Sequence, residues 1–180
     1  MALIGIQNYT AGTAFASSSA SVAAAAAGAR SVLQVVSAVN RDIFTTTSTA
    51  FVPITGFSVT ITPASLSSRI LLFGQINFSA AAAAVVGFNL LCNGQEIYPN
   101  NQVTGRYSGW ALTVPAATSS NNFNFSFLHT PTVIGSQTYV MQVKNNAAGT
   151  LFINRNGDDT ASSLTSYRAA TSFTAMEIIA

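Results

Sequence analysis

An all-β antiparallel sandwich is the fold this sequence predicts, and three observations predict it. Apolar and polar residues alternate in short runs: Phe57, Val59 and Ile61 with Ser58, Thr60 and Thr62; Phe123, Phe125 and Phe127 with Asn124 and Ser126; Tyr139, Met141 and Val143 with Gln142 and Lys144. A period of two is the signature of strands with one buried face. Turn residues separate these runs at sandwich-like intervals, as at Asn93-Gly94, Asn145 to Gly149 and Asn156 to Asp159. The third observation is the run Ser68 to Phe78, SRILLFGQINF, where Ile70, Leu71, Leu72 and Phe73 are consecutive and apolar. It reads as a central strand with neither face open to water.

The elements follow in chain order. Ser31 to Val39 is a first strand, rich in valine. Phe44 to Thr49 is threonine-rich, an edge strand or extended loop. Pro53, between Val52 and Ile54, cannot donate to a ladder and marks an edge or a bulge. Pro63 ends the strand at Phe57 to Thr62, and Ala64 to Ser67 turns into the central strand. Ala80 to Ala84 is a tight loop or a place of close approach, and Val85 to Cys92 resumes strand character. Asn93-Gly94 is the strongest short hairpin signal, leading to Gln95 to Tyr98. Further strands are expected at Tyr107 to Val114, Phe123 to Phe127, Tyr139 to Val143, Leu151 to Ile153 and Phe173 to Ile179. About nine or ten short strands suit a sandwich or jelly roll.

Residues 1–30 differ in kind. Leu3, Ile4, Ile6, Tyr9 and Phe15 precede the alanine-rich stretch Ser17 to Ala29, which holds a capped helix at most from Ser21 to Gly28. Such a helix is too short to stand alone. The segment is expected to be an arm that docks on a partner, with residues 31–180 forming the sandwich domain.

Composition narrows the function classes. Only 7% of the 180 residues are charged and 49% are hydrophobic, where ordinary domains carry about 25% charged residues. A lone monomer keeps itself soluble with mixed surface charge, so this chain is expected to hide surface in a symmetric assembly. The seven basic residues are scattered, with no phosphate-tracking stripe, so nucleic-acid binding is not expected. Ile70 to Cys92 is the best candidate for a membrane span, but Gln75, Asn77, Ser79 and Asn89 interrupt it, and no membrane insertion is expected. Cys92 is the only cysteine and reads as a small core residue.

The pieces Val32-Leu-Gln-Val-Val, Thr60-Ile-Thr-Pro followed by Ser67-Ser-Arg-Ile-Leu-Leu, and the closing Met176-Glu-Ile are similar in order and spacing to a domain of tailed-phage virion proteins. That domain stands at the distal end of tail fibres or tailspikes and in capsid decoration (cement) proteins. The resemblance covers about residues 31 to 180. It implies a homotrimeric β-sandwich on the outer surface of a virion, made in the bacterial host cytoplasm. The chain has no collagen-like, heptad or β-helix shaft, only the arm, and this favours a decoration protein that grips the major capsid protein. The alternative is a short tail fibre, joined to tail or baseplate proteins, that recognises a host surface glycan.

Candidate chemistry is sparse, and neither catalytic nor metal residues nor a cofactor are expected. His129 is the only histidine, and no nucleophile elbow accompanies it. Asp158 and Asp159, near Asn154 and Asn156, have oxygen ligands for a calcium ion, but the spacing is not that of an EF-hand and a solvated turn is the simpler reading. Tyr98, Tyr107 and Trp110 flank the polar loop Asn100 to Arg106 and would stack on a sugar if exposed, or form core or trimer interface if not.

Overall fold

The computed structural model describes residues 31–98, 109–115, 120–147, 149–159 and 166–179. The arm expected at residues 1–30 lies outside the described residues, as does Tyr107. Eleven strands follow one another: β1 (Val32–Asn40), β2 (Phe44–Thr46), β3 (Val52–Ile61), β4 (Arg69–Ala80), β5 (Ala84–Cys92), β6 (Gln95–Glu96), β7 (Trp110–Val114), β8 (Asn121–His129), β9 (Gln137–Asn145), β10 (Leu151–Ile153) and β11 (Thr171–Ile178). No helix occurs among the described residues.

The strands form two antiparallel sheets. In the first, β4 is central: β8 pairs along one edge, and β11 and then β10 pair along the other. β1 lies outside β11, and β2 outside β10. In the second, β9 lies between β3 and β5, and β5 carries β7 and β6 on its far edge. Among the eight longer strands, counted along the chain, one sheet runs first, eighth, third, sixth and the other second, seventh, fourth, fifth.

The local expectations are met for physical reasons that can be named. Asn93 and Gly94 both have positive φ, 48° and 82°, as a two-residue hairpin of matching twist requires. Pro53 sits on β3, at the edge of its sheet, and the pairing with β9 shifts register between Pro53 and Ser58. The Pro53 strand and the Phe57 strand are therefore one bulged element rather than two.

The core lies between the sheets and is aromatic. Phe57, Phe78, Phe88, Phe173 and Tyr139 are fully buried. Phe123, Phe125 and Phe127 do share the inner face of β8, and Phe88 stacks on Phe123 at 4.6 Å. Gly74, which interrupts the central apolar run, is the partner of Phe125 on one side and Phe173 on the other. Those two rings meet edge to face at 5.2 Å across it. A Cβ at Gly74 would collide with the Ser172 carbonyl oxygen and come within 2.9 Å of the Phe125 ring.

Polar groups close the sandwich at both ends of β1. At one end Glu177 of β11 faces inward and is fully buried. Gln34 Nε2 donates to its Oε2 at 2.6 Å and to the Thr62 carbonyl at 2.7 Å, and the Ala64 N–H donates to its Oε1 at 2.7 Å. Burial alone would raise this carboxyl's pKa, but its hydrogen bonds, that from Gln34 foremost, outweigh this and hold it below the ordinary glutamate value. At the other end Asn40 Nδ2 donates to the Thr55 carbonyl at 2.9 Å, and Asn154 Nδ2 donates to the carbonyls of Asn40 and Asp42, each at 2.9 Å.

Two outcomes are expected. Gly74→Ala loses about 1–3 kcal/mol in urea unfolding, the usual cost of overpacking; an unchanged midpoint would show that the β11 backbone at Ser172 and the Phe125 ring can both give way. Glu177→Gln loses about 1–3 kcal/mol at neutral pH, because an amide cannot accept from both donors. Since the folded-state pKa is lowered, the carboxylate's stabilisation is present above the ordinary value near 4.5 and is lost as pH falls through the folded value. Glu177→Gln should therefore flatten the acid limb of the wild-type stability profile.

Candidate interaction surfaces

The two outer faces of the sandwich are unlike each other. On the first sheet, cross-strand register aligns Val35, Met176, Leu71 and Leu128 in one row across β1, β11, β4 and β8. Val35 and Leu128 are 54% and 50% exposed, and Met176 and Leu71 are half-buried. The neighbouring rows add Ile178 and Phe73, with exposed Leu33 and Val39 on β1. Arg69 is the one charged side chain of these outer rows, and its guanidinium donates to the Thr130 hydroxyl.

The outer face of the second sheet is more polar. It presents Ser58 and Thr60 on β3, Thr138 and Gln142 on β9, Thr113 on β7 and Glu96 on β6, with Val140, Leu91 and the exposed Val85 among them. The hydroxyls of Thr60 and Thr138 meet at 3.0 Å. Lys144 lies on this side but is buried, its stem over Gly87 and its Nζ 5.3 Å from the centre of the Phe51 ring. Burial pushes its pKa down to about 8.

This asymmetry corrects one expectation. Ile70 and Leu72 point inward and are fully buried, but Leu71 and Phe73 face outward and keep contact with water. Within the described residues nothing covers that face completely. The signal was already in the sequence: four consecutive apolar residues require a cover on both faces, and here the chain supplies one.

Tyr98 and Trp110 are brought together, with ring centroids 3.8 Å apart. Tyr98 also meets Phe127 edge-on at 5.6 Å, and Trp110 lies 5.4 Å from Phe123. Both are half-buried and seated on the core rings Phe127 and Phe123. They meet because β6 and β7 share one edge of β5, which brings Tyr98, just beyond β6, to the strand that begins with Trp110.

The titratable candidates are built into the packing. His129 ends the inner row of β8, its Nδ1 2.9 Å from the Tyr139 hydroxyl, and burial lowers its pKa. Burial likewise raises the pKa of Tyr139 and of Cys92, whose Sγ donates to Gln137 Oε1 at 2.9 Å. Asp159 accepts from Arg168 Nε and Nη2 at 2.7 and 2.6 Å and from Arg155 Nη1 at 3.0 Å. These guanidiniums, Arg168 foremost, hold its pKa low. Its oxygens are thus turned to arginine, and Asp158 beside it is exposed. Among the described residues no three His, Cys, Asp or Glu side chains group as metal ligands do. No helix among them is long and apolar enough to cross a membrane.

No family model and no curated protein matches this chain. Solved structures do match. One is a chain from the structure of infectious bursal disease virus, Gx strain, 17% identical, with a TM-score of 0.39. The alignment covers 82% of this chain and 38% of the viral one, so this chain spans well under half the length of its match. A likeness that loose transfers no function.

Trp110→Ala should lower stability by about 2 kcal/mol, as expected for a half-buried aromatic side chain, read as a fall in thermal midpoint. A Trp110→Ala protein that melts like wild type would mean the ring contributes nothing to packing and is held there for binding.

Proposed function

We propose that this chain is a structural protein of a tailed-phage virion, a homotrimeric decoration protein on the outer capsid surface that stabilises the shell and does no catalysis. The observation that carries this reading is the strand order, with sheets running first-eighth-third-sixth and second-seventh-fourth-fifth. We read that order as the winding of a jelly roll, an architecture that recurs in viral capsid and lectin domains. A fold alone hosts many functions, so two further features matter. The chain is nearly free of charge, and its one large apolar surface lies on a sheet face rather than in a cleft. Both suit a subunit whose work is contact. The virion pieces described above add the phage assignment.

In this reading residues 1–30, through Leu3, Ile4, Ile6, Tyr9 and Phe15, dock on the major capsid protein. The runner-up is a short tail fibre joined to tail or baseplate proteins. It is favoured by the half-buried Tyr98–Trp110 pair, whose residues flank the polar segment 99–108 in the chain. A host surface glycan would be its ligand.

Quantitative mass spectrometry of purified particles separates the two. A copy number near that of the major coat protein is the expected result. A small fraction of it would instead mean a fibre, and absence from the particle would remove the virion reading altogether. Deleting residues 1–30 should abolish docking on capsids while leaving a folded assembly; undiminished docking would relieve the arm of that role.

A further inference from the structure

We propose that the outer face of the first sheet is the surface on which a second copy of this chain docks, an inference that rests on the self-association proposed above. Three observations choose a second copy over other occupants.

The first is area. The outward apolar side chains of β1, β11, β4 and β8 lie side by side, with Val32, Val35, Val39 and Leu128 each about half exposed, a patch on the order of the several hundred Å² that the largest patch of a monomer reaches. That is a good part of the roughly 800 Å² per partner that a stable protein interface uses. The second is the absence of charge. Apart from Arg69 at one corner, the outer rows of these strands hold no ionic group. A partner recognised by charge, whether nucleic acid or an acidic or basic protein, finds nothing there to pair with. A copy of the same face meets no like-charge repulsion. The third is the rim. The Arg155, Asp159 and Arg168 cluster stands beyond the β10 end, with the Arg155 guanidinium over the Phe152 ring at 4.1 Å. An apolar centre with charge at its border is the anatomy of a protein interface.

The edge of the sheet points the same way. β1 is nine residues long, without proline or charge, and among the described residues it forms the sheet's border beyond β11. Natural edge strands are usually guarded by lysine, proline or a bulge across the exposed length. Here the one register shift lies between Val32 and Gln34, at the strand's start. The unguarded length from Val35 to Asn40 suits a strand that is covered in the assembled protein. In a cyclic assembly these faces turn toward the common axis, and the more polar second sheet turns outward to solvent.

The test compares the full chain with V35R/L128R by sedimentation velocity at micromolar concentration, with circular dichroism and thermal melting to verify the fold. Wild type should sediment as an oligomer. V35R/L128R should sediment as a folded monomer, its association weakened by more than about tenfold. Ser58→Arg, on the opposite face, should leave the oligomer intact. Should V35R/L128R fail to fold, V35K alone, at a side chain already half in water, gives the same reading. A folded variant that still assembles like wild type overturns the inference and leaves the homotrimer standing. Dissociation by removal of residues 1–30 but not by V35R/L128R also overturns it, moving the contact to the arm. A wild type that is monomeric throughout the concentration range overturns the homotrimer and the inference together.

Discussion

A single buried carboxylate holds one end of this sandwich in register. Glu177 takes its place in an inward row with Gln34 on β1, Ile70 on β4 and His129 on β8. Left unpaired, a charge there would be strongly destabilising. It is held instead by donors from both β1 and the β3–β4 connection, and so it fixes where β1 lies, where the chain crosses between sheets and where β11 ends. The sequence pieces that resemble phage virion proteins converge on this group. VLQVV supplies Gln34, TITP supplies the Thr62 carbonyl and leads to Ala64, and MEI supplies Glu177 itself. Segments far apart in the chain read as one motif because they build one hydrogen-bonded site.

With the interior closed in this way, the faces are released to differ. Threonine and serine hydroxyls wet much of the second sheet. The first sheet carries valine, leucine and methionine into water, a cost that a monomer has no reason to bear. The low-charge composition therefore has a local meaning. Charges hold structure at Glu177 and in the Asp159 cluster, and they are nearly absent from the outer rows of the first sheet.

Much of the fold was legible in the sequence, because period-two alternation and turn residues are local signals. The three phenylalanines of β8, the Asn93-Gly94 hairpin and the edge proline all follow from a few neighbouring residues. The strand order did not follow, since it depends on pairings such as β1 with β11 across more than a hundred residues. Gly74 looked like an interruption, and only the two rings meeting across it explain the missing side chain. The Tyr98–Trp110 contact was hidden because it depends on β6 and β7 sharing an edge of β5. The outer face was half-visible: Ile70 to Phe73 announced two covered faces, and the chain could not say that the second cover lies elsewhere.

Hydroxyl-radical footprinting of the assembled protein, read by mass spectrometry, tests the central claim that the apolar face is covered. Leu128 on that face and Leu66 in the β3–β4 connection are chemically identical and nearly equally exposed in the single chain, at 50% and 49%. The account predicts strong labelling of Leu66 and weak labelling of Leu128, with Leu128 gaining reactivity as the protein is diluted. Equal labelling of the two at every concentration would contradict it and leave the face open to water.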